Sequence, residues 1–102
     1  IKTEYSNFYN IQIAQELKNK LLNYQDLLDN SRQQVVLNQV MVTNYQNLLQ
    51  AENEKFRFGE SSIFLLNSRE QKLIDARLKL TKLMIVYQKN RLGLVWALGQ
   101  LN

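Results

Sequence analysis

The chain has 102 residues, a net charge of +4, and neither cysteine nor histidine. That composition removes disulfides, thiolate chemistry and the commonest metal ligands, and no run of about 18 apolar residues is present to span a membrane as a helix. The length suits one small domain or part of a larger protein, and because Ile1 stands first the chain reads as an excerpt or a processed product.

The first half is written in heptads. Ala14, Leu21, Leu28, Val35, Val42, Leu49 and Phe56 recur every seven residues. Leu17, Tyr24 and Tyr45 fall on the partner line, whose remaining positions are Ser31, Asn38 and Glu52. This spacing predicts a helix with a part-polar coiled-coil seam, flanked by a second apolar set, Ile13, Leu27, Met41 and Leu48. The run Asn23-Tyr24-Gln25-Asp26-Leu27-Leu28 returns three heptads later as Asn44-Tyr45-Gln46-Asn47-Leu48-Leu49, so both copies present the same face. The many Asn and Gln residues suit a helix surrounded by water. Regular apolar spacing argues against the disordered tract that such a composition otherwise suggests.

The run Phe56-Arg57-Phe58-Gly59-Glu60-Ser61-Ser62 interrupts the pattern. A glycine followed at once by residues that cap helix N-termini is how one helix stops and the next begins. The expected fold is all-α: one hairpin over residues 1–102, with helices at about 3–57 and 62–100 joined by a tight tip at 58–61.

In the second half, Leu66, Leu73, Leu80, Tyr87, Leu94 and Leu101 form one heptad line, with Ala76, Leu83 and Ala97 on the partner line, interrupted by Arg69 and Asn90. Phe64, Leu78, Ile85 and Leu92 form a further apolar line. Two seams on one helix predict neighbours on two sides. Trp96 is expected in the core of the bundle, with an interface anchor as the alternative. The cations Arg69, Lys72, Arg77, Lys79, Lys82, Lys89 and Arg91 outnumber Glu70 and Asp75. They read as a solvated face whose long stems cover apolar surface; contact with phosphates or anionic lipid is the alternative. No aromatic interleaving or nucleic-acid module accompanies them, and no nucleic-acid partner is expected. At about 1.5 Å per residue the helices would measure roughly 80 and 60 Å. The segment before about Leu17 therefore overhangs, and its Tyr5, Phe8, Tyr9 and Ile11 predict self-association of the chain.

Catalytic chemistry finds little support. Glu52, Glu54 and Glu60 are the closest carboxylates, with no histidine, metal-ligand spacing or nucleophile to serve. Ser61 and Ser62 have no base nearby, and capping the second helix is their expected role. Gly59 lacks the spacing of a phosphate-cradling loop. The chain is expected not to be an enzyme and to use no cofactor or metal.

From Asn44 to Leu101 the sequence resembles the outer-membrane efflux protein family, the TolC-like channel-tunnels. The resemblance rests on Phe56-x-x-Gly59-Glu60-Ser61-Ser62, Leu65-Leu66-Asn67-Ser68-Arg69-Glu70, Leu73-x-x-Ala76, Tyr87 and Trp96-Ala97-Leu98-Gly99. Their order and spacing are similar to the second periplasmic hairpin of the family, and the Asn44-Tyr45-Gln46 and Gly-Glu-Ser-Ser runs look closest to versions from Bacteroidetes-like bacteria. Before Asn44 only the heptad period fits.

The resemblance implies one hairpin of a TolC-like α-barrel. In such proteins a homotrimeric outer-membrane β-barrel continues as a helical tube through the periplasm of a Gram-negative bacterium. It implies that Phe58, Gly59, Glu60, Ser61 and Ser62 form the tip that docks a periplasmic adaptor, which in turn recruits an inner-membrane pump. Phe56 falls where some members carry a tyrosine that helps to hold the entrance shut. Leu65 and Ser68 replace acidic residues that ring the entrance in some members, so closure is expected to use apolar contacts and hydrogen bonds. A scaffold coiled-coil protein with a basic face is the alternative reading.

Overall fold

The computed structural model describes residues 2–101, with side chains from 2 to 99. It consists of two helices, α1 (Lys2–Arg57) and α2 (Ile63–Leu101), and contains no strand among the described residues. They pack antiparallel along one another. A Cβ built on Gly93 would meet the Tyr24 ring, and three residues further along α1 the Leu27 carbonyl accepts a bond from Asn90, three residues back along α2. The all-α hairpin expected from the heptads is what the chain forms.

The shape follows from helix length. Helices of 56 and 39 residues measure about 84 and 58 Å at the standard rise, and the molecule extends 86 × 17 × 14 Å. Its radius of gyration is 23.7 Å, against about 13 Å for a compact domain of this length. The accessible surface is 8206 Å², about a third above the roughly 6,000 Å² expected for a folded monomer of this mass. A rod two helices thick has no interior beyond a single line of contact.

That line is the predicted seam. Val42, Leu66, Leu73, Ala76 and Ala97 are its buried apolar members, and Tyr45, Leu49 and Leu80 pack against Val42, Leu73 and Ala76. Leu17, Leu21, Tyr24, Leu28 and Val35 are half-buried along α1, as are Leu83, Tyr87 and Leu94 along α2. Two predicted members depart from it. Ala14 is exposed because α2 ends before reaching its level, and Phe56 is exposed because the chain is already leaving α1 for the turn. The Leu101 side chain lies outside the described residues.

Three of the four buried α1 residues are polar: Ser31, Asn38 and Glu52, beside Val42. Two are satisfied by their own helix, which lowers the cost of burying them. The Ser31 hydroxyl donates to the Leu28 carbonyl at 3.0 Å, and the Asn38 amide donates to the Gln34 carbonyl at 2.8 Å. On α2, the Asn90 amide donates across the seam to the Leu27 carbonyl at 3.3 Å.

Trp96 corrects the expectation that it is a core residue. Its neighbour Ala97 is buried at 2 % exposure, whereas the indole is 55 % exposed. One residue along a helix is about 100° around it, so only one of the two can enter the seam, and the small one does. The Lys20 ammonium sits 4.9 Å from the centre of the Trp96 ring.

Candidate functional site

The tip is assembled from the last turn of α1 and the first of α2. The Gly59 N–H donates to the Phe56 carbonyl at 3.1 Å and the Glu60 N–H to the Lys55 carbonyl at 2.8 Å. These two bonds make a Schellman cap, which ties down carbonyls that a helix end otherwise leaves open. The cap requires a left-handed residue, and Gly59 adopts φ +73°; any side chain there carries steric cost. Ser62 then starts α2: its Oγ accepts from the Leu65 N–H at 3.2 Å, and its carbonyl accepts from the Leu66 N–H at 3.1 Å. The sequence places two serines in line for capping. Only Ser62 caps, while the Ser61 Oγ is shielded from solvent and has no hydrogen-bond partner.

The surface this creates is apolar and open. Phe58 is 80 % and Phe64 78 % exposed, with Ile63 and Leu65 also outward. Beyond its two chain neighbours, nothing lies within 4 Å of where a Cβ on Gly59 would stand, so the backbone at the turn is open to close approach. Glu60 is exposed, and Phe56, Leu65 and Ser68 all lie on the surface rather than in the seam. The structure thus gathers Phe56, Phe58, Gly59, Glu60, Ser61, Ser62 and Leu65 around the last turn of α1 and the first of α2, with Ser68 one turn further along. Among the described residues no group of three or more carboxylates could hold a metal ion, and no helix is long and apolar enough to cross a membrane.

A second surface runs the length of the rod. Phe64, Leu78, Ile85 and Leu92 each precede a seam residue of α2 by two positions, about 200° around the helix. They face directly away from α1 and are all exposed. Lys82 and Lys89, two positions after seam residues, border this stripe and are also exposed. The corresponding back of α1 differs. It is mostly Asn, Gln and acidic residues, broken by a shallow apolar depression lined by Arg32, Gln33, Val36, Leu37 and Val40.

Gly93 escaped the sequence reading. An added Cβ there would lie 2.7 Å from Tyr24 Cε1, so the glycine makes room for a ring from the opposite helix. Recognising it requires the interhelical register, which heptad spacing leaves open. The Lys20–Trp96 contact was hidden for the same reason.

No family model, no curated protein and no solved structure matches the chain.

Proposed function

We propose that the chain is a periplasmic tunnel segment of a trimeric, TolC-like outer-membrane efflux or secretion channel, acting as a passive conduit component and not as an enzyme. The observation that carries this reading is the tip: a glycine-capped reversal with exposed phenylalanines and an open backbone, at the end of a rod 86 Å long. Small residues at Gly59, Ser61 and Ser62 leave room for the hairpin tip of a periplasmic adaptor, while Phe58 and Glu60 offer it apolar and charged contacts. The adaptor links the conduit to an inner-membrane pump. Phe56, Leu65 and Ser68 close the entrance through apolar contact and hydrogen bonding. The outward stripe of α2 supports the reading as well, because a wall helix packs against its hairpin partner and against the next hairpin.

The test is export by the intact protein carrying Gly59→Leu or Ser61→Trp. Loss of export with unchanged helicity by circular dichroism is the expected result, and retained export overturns the assignment. The exposed cations of α2 favour a second reading, a scaffold coiled coil that binds a partner through its basic face. Fractionation separates the two: the conduit is found with the outer membrane, the scaffold in the cytosol.

A further inference from the structure

We infer that a groove on one edge of the seam, midway along the rod, is a binding site for a small aromatic carboxylate. The site belongs to the hairpin itself and is independent of the conduit reading.

The register of the helices assembles the groove. Tyr24 lies beside Gly93 and Leu27 beside Asn90, so each step forward along α1 is one step back along α2. On this scale Asn38 is level with Lys79, Met41 with Ala76, and Tyr45 with Lys72. These residues, with Asp75 beside Ala76, line a cavity of about 280 Å³. Its size is close to the roughly 300 Å³ of the smallest ligand pockets and suits a compact molecule. Asn38 and Ala76 are buried, and Met41 and Tyr45 half-buried, so the floor is formed by the seam.

Three heptads away the chain builds the same scaffold and covers it. Tyr24 corresponds to Tyr45 and Lys20 to Met41; on α2, Gly93, Trp96 and Ala97 correspond to Lys72, Asp75 and Ala76. In that copy the Lys20 ammonium reaches across to the Trp96 ring, 4.9 Å from its centre, so an aromatic ring stands over the edge beside Ala97. The second copy keeps the tyrosine and the buried alanine but has no ring at position 75. The ring of a ligand takes that place, against Tyr45 and Met41, both of which favour aromatic contact.

Charge sets the orientation. Lys72, Asp75, Lys79 and Lys82 are successive neighbours along this edge of α2, all exposed. The Asp75 carboxylate accepts from Gln71 Nε2 at 3.0 Å, and among the described residues neither Lys72 nor Lys79 forms an ion pair. Lys72 and Asp75 offset each other near Tyr45, whereas Lys79 and Lys82 leave an excess of positive charge near Asn38. The carboxylate of the ligand therefore lies at the Asn38–Lys79 end and its ring at the Tyr45 end. The two levels are seven residues apart, about 10 Å, which leaves room for a ring and an acid group joined by a short linker.

Cinnamate has this form, and cinnamyl alcohol is its neutral counterpart. The chain has two methionines: Met41 lines the groove, and Met84 is exposed on α2 outside it. In NMR of the full chain labelled at the methionine methyls, cinnamate is expected to shift Met41 saturably and to leave Met84 in place. The alcohol should bind roughly threefold more weakly or less well still. Lys79→Ala should weaken cinnamate binding roughly two- to fivefold, and Lys72→Ala less. Position 75 separates a fitted site from simple attraction to a basic edge. Asp75→Ala removes a negative charge and should tighten binding, by up to about fivefold. Asp75→Trp removes the same charge but installs the ring of the other copy, and should abolish binding. Equal shifts at both methionines, equal binding of the alcohol, an equal gain from Asp75→Ala and Asp75→Trp, or no saturable shift overturns the inference.

Discussion

The Tyr24 ring lies where a side chain on Gly93 would have to go, at 2.7 Å from the position of an added Cβ. Alanine in the middle of a helix normally gains about 1 kcal/mol over glycine, but overpacking a fitted contact costs about 1–3 kcal/mol. Gly93→Ala is therefore expected to lower the unfolding free energy measured by urea titration by roughly 1 kcal/mol after the propensity gain is subtracted. Adding Tyr24→Leu should recover much of the loss, a non-additivity that marks direct contact. Gly99→Ala, with nothing within 4 Å of the added carbon, should be neutral or stabilising in the same assay.

The adjacent serines at the tip predict opposite outcomes. Ser62→Ala removes the acceptor for the Leu65 N–H and should cost about 1 kcal/mol. Ser61→Ala removes a hydroxyl that is shielded and unpartnered, so thermal unfolding should be unchanged or slightly raised. A larger loss from Ser61→Ala than from Ser62→Ala would show that the caps are assigned the wrong way round.

Asn38 is 2 % exposed in the seam and donates only to its own helix. Replacing it with leucine adds apolar burial at a position where a polar residue costs stability and specifies register. Asn38→Leu is expected to raise the unfolding free energy by roughly 1 kcal/mol or more. It should also broaden the range of helix registers, which disulfide trapping between cysteines placed at Tyr24 and Asn90, off the native level, would detect.

The aromatic overhang makes no contribution to the hairpin itself. Every described side chain from Lys2 to Gln12 is exposed. Deleting residues 1–12 should change unfolding free energy by less than about 0.5 kcal/mol, with helical ellipticity falling only in proportion to length. A marked loss of stability would mean that Tyr5, Phe8 or Tyr9 contacts α2 or another copy.

The fold was legible because a seven-residue apolar repeat constrains both the helix and its buried face, and because glycine before serine is a strong stop and start. Even the polar members of the seam, Ser31, Asn38 and Glu52, followed from the count. What was not legible depends on how one helix sits along the other. Gly93 means nothing until Tyr24 is opposite it; Trp96 was expected in the core for its bulk, although the heptad count already put its neighbour Ala97 on the seam. At the tip the sequence located the turn, but the choice between Ser61 and Ser62 depended on the geometry of the cap.

The matched stepping of the two helices also limits how such a rod can change its reach. A heptad inserted into α1 alone, between Tyr24 and the turn, would push every earlier residue out of step with α2, and Tyr24 would no longer find Gly93. Inserted into both helices at the same height, it preserves every contact on either side and carries the tip outward by about 10 Å. The distance this hairpin bridges is therefore adjustable only in paired, fixed increments.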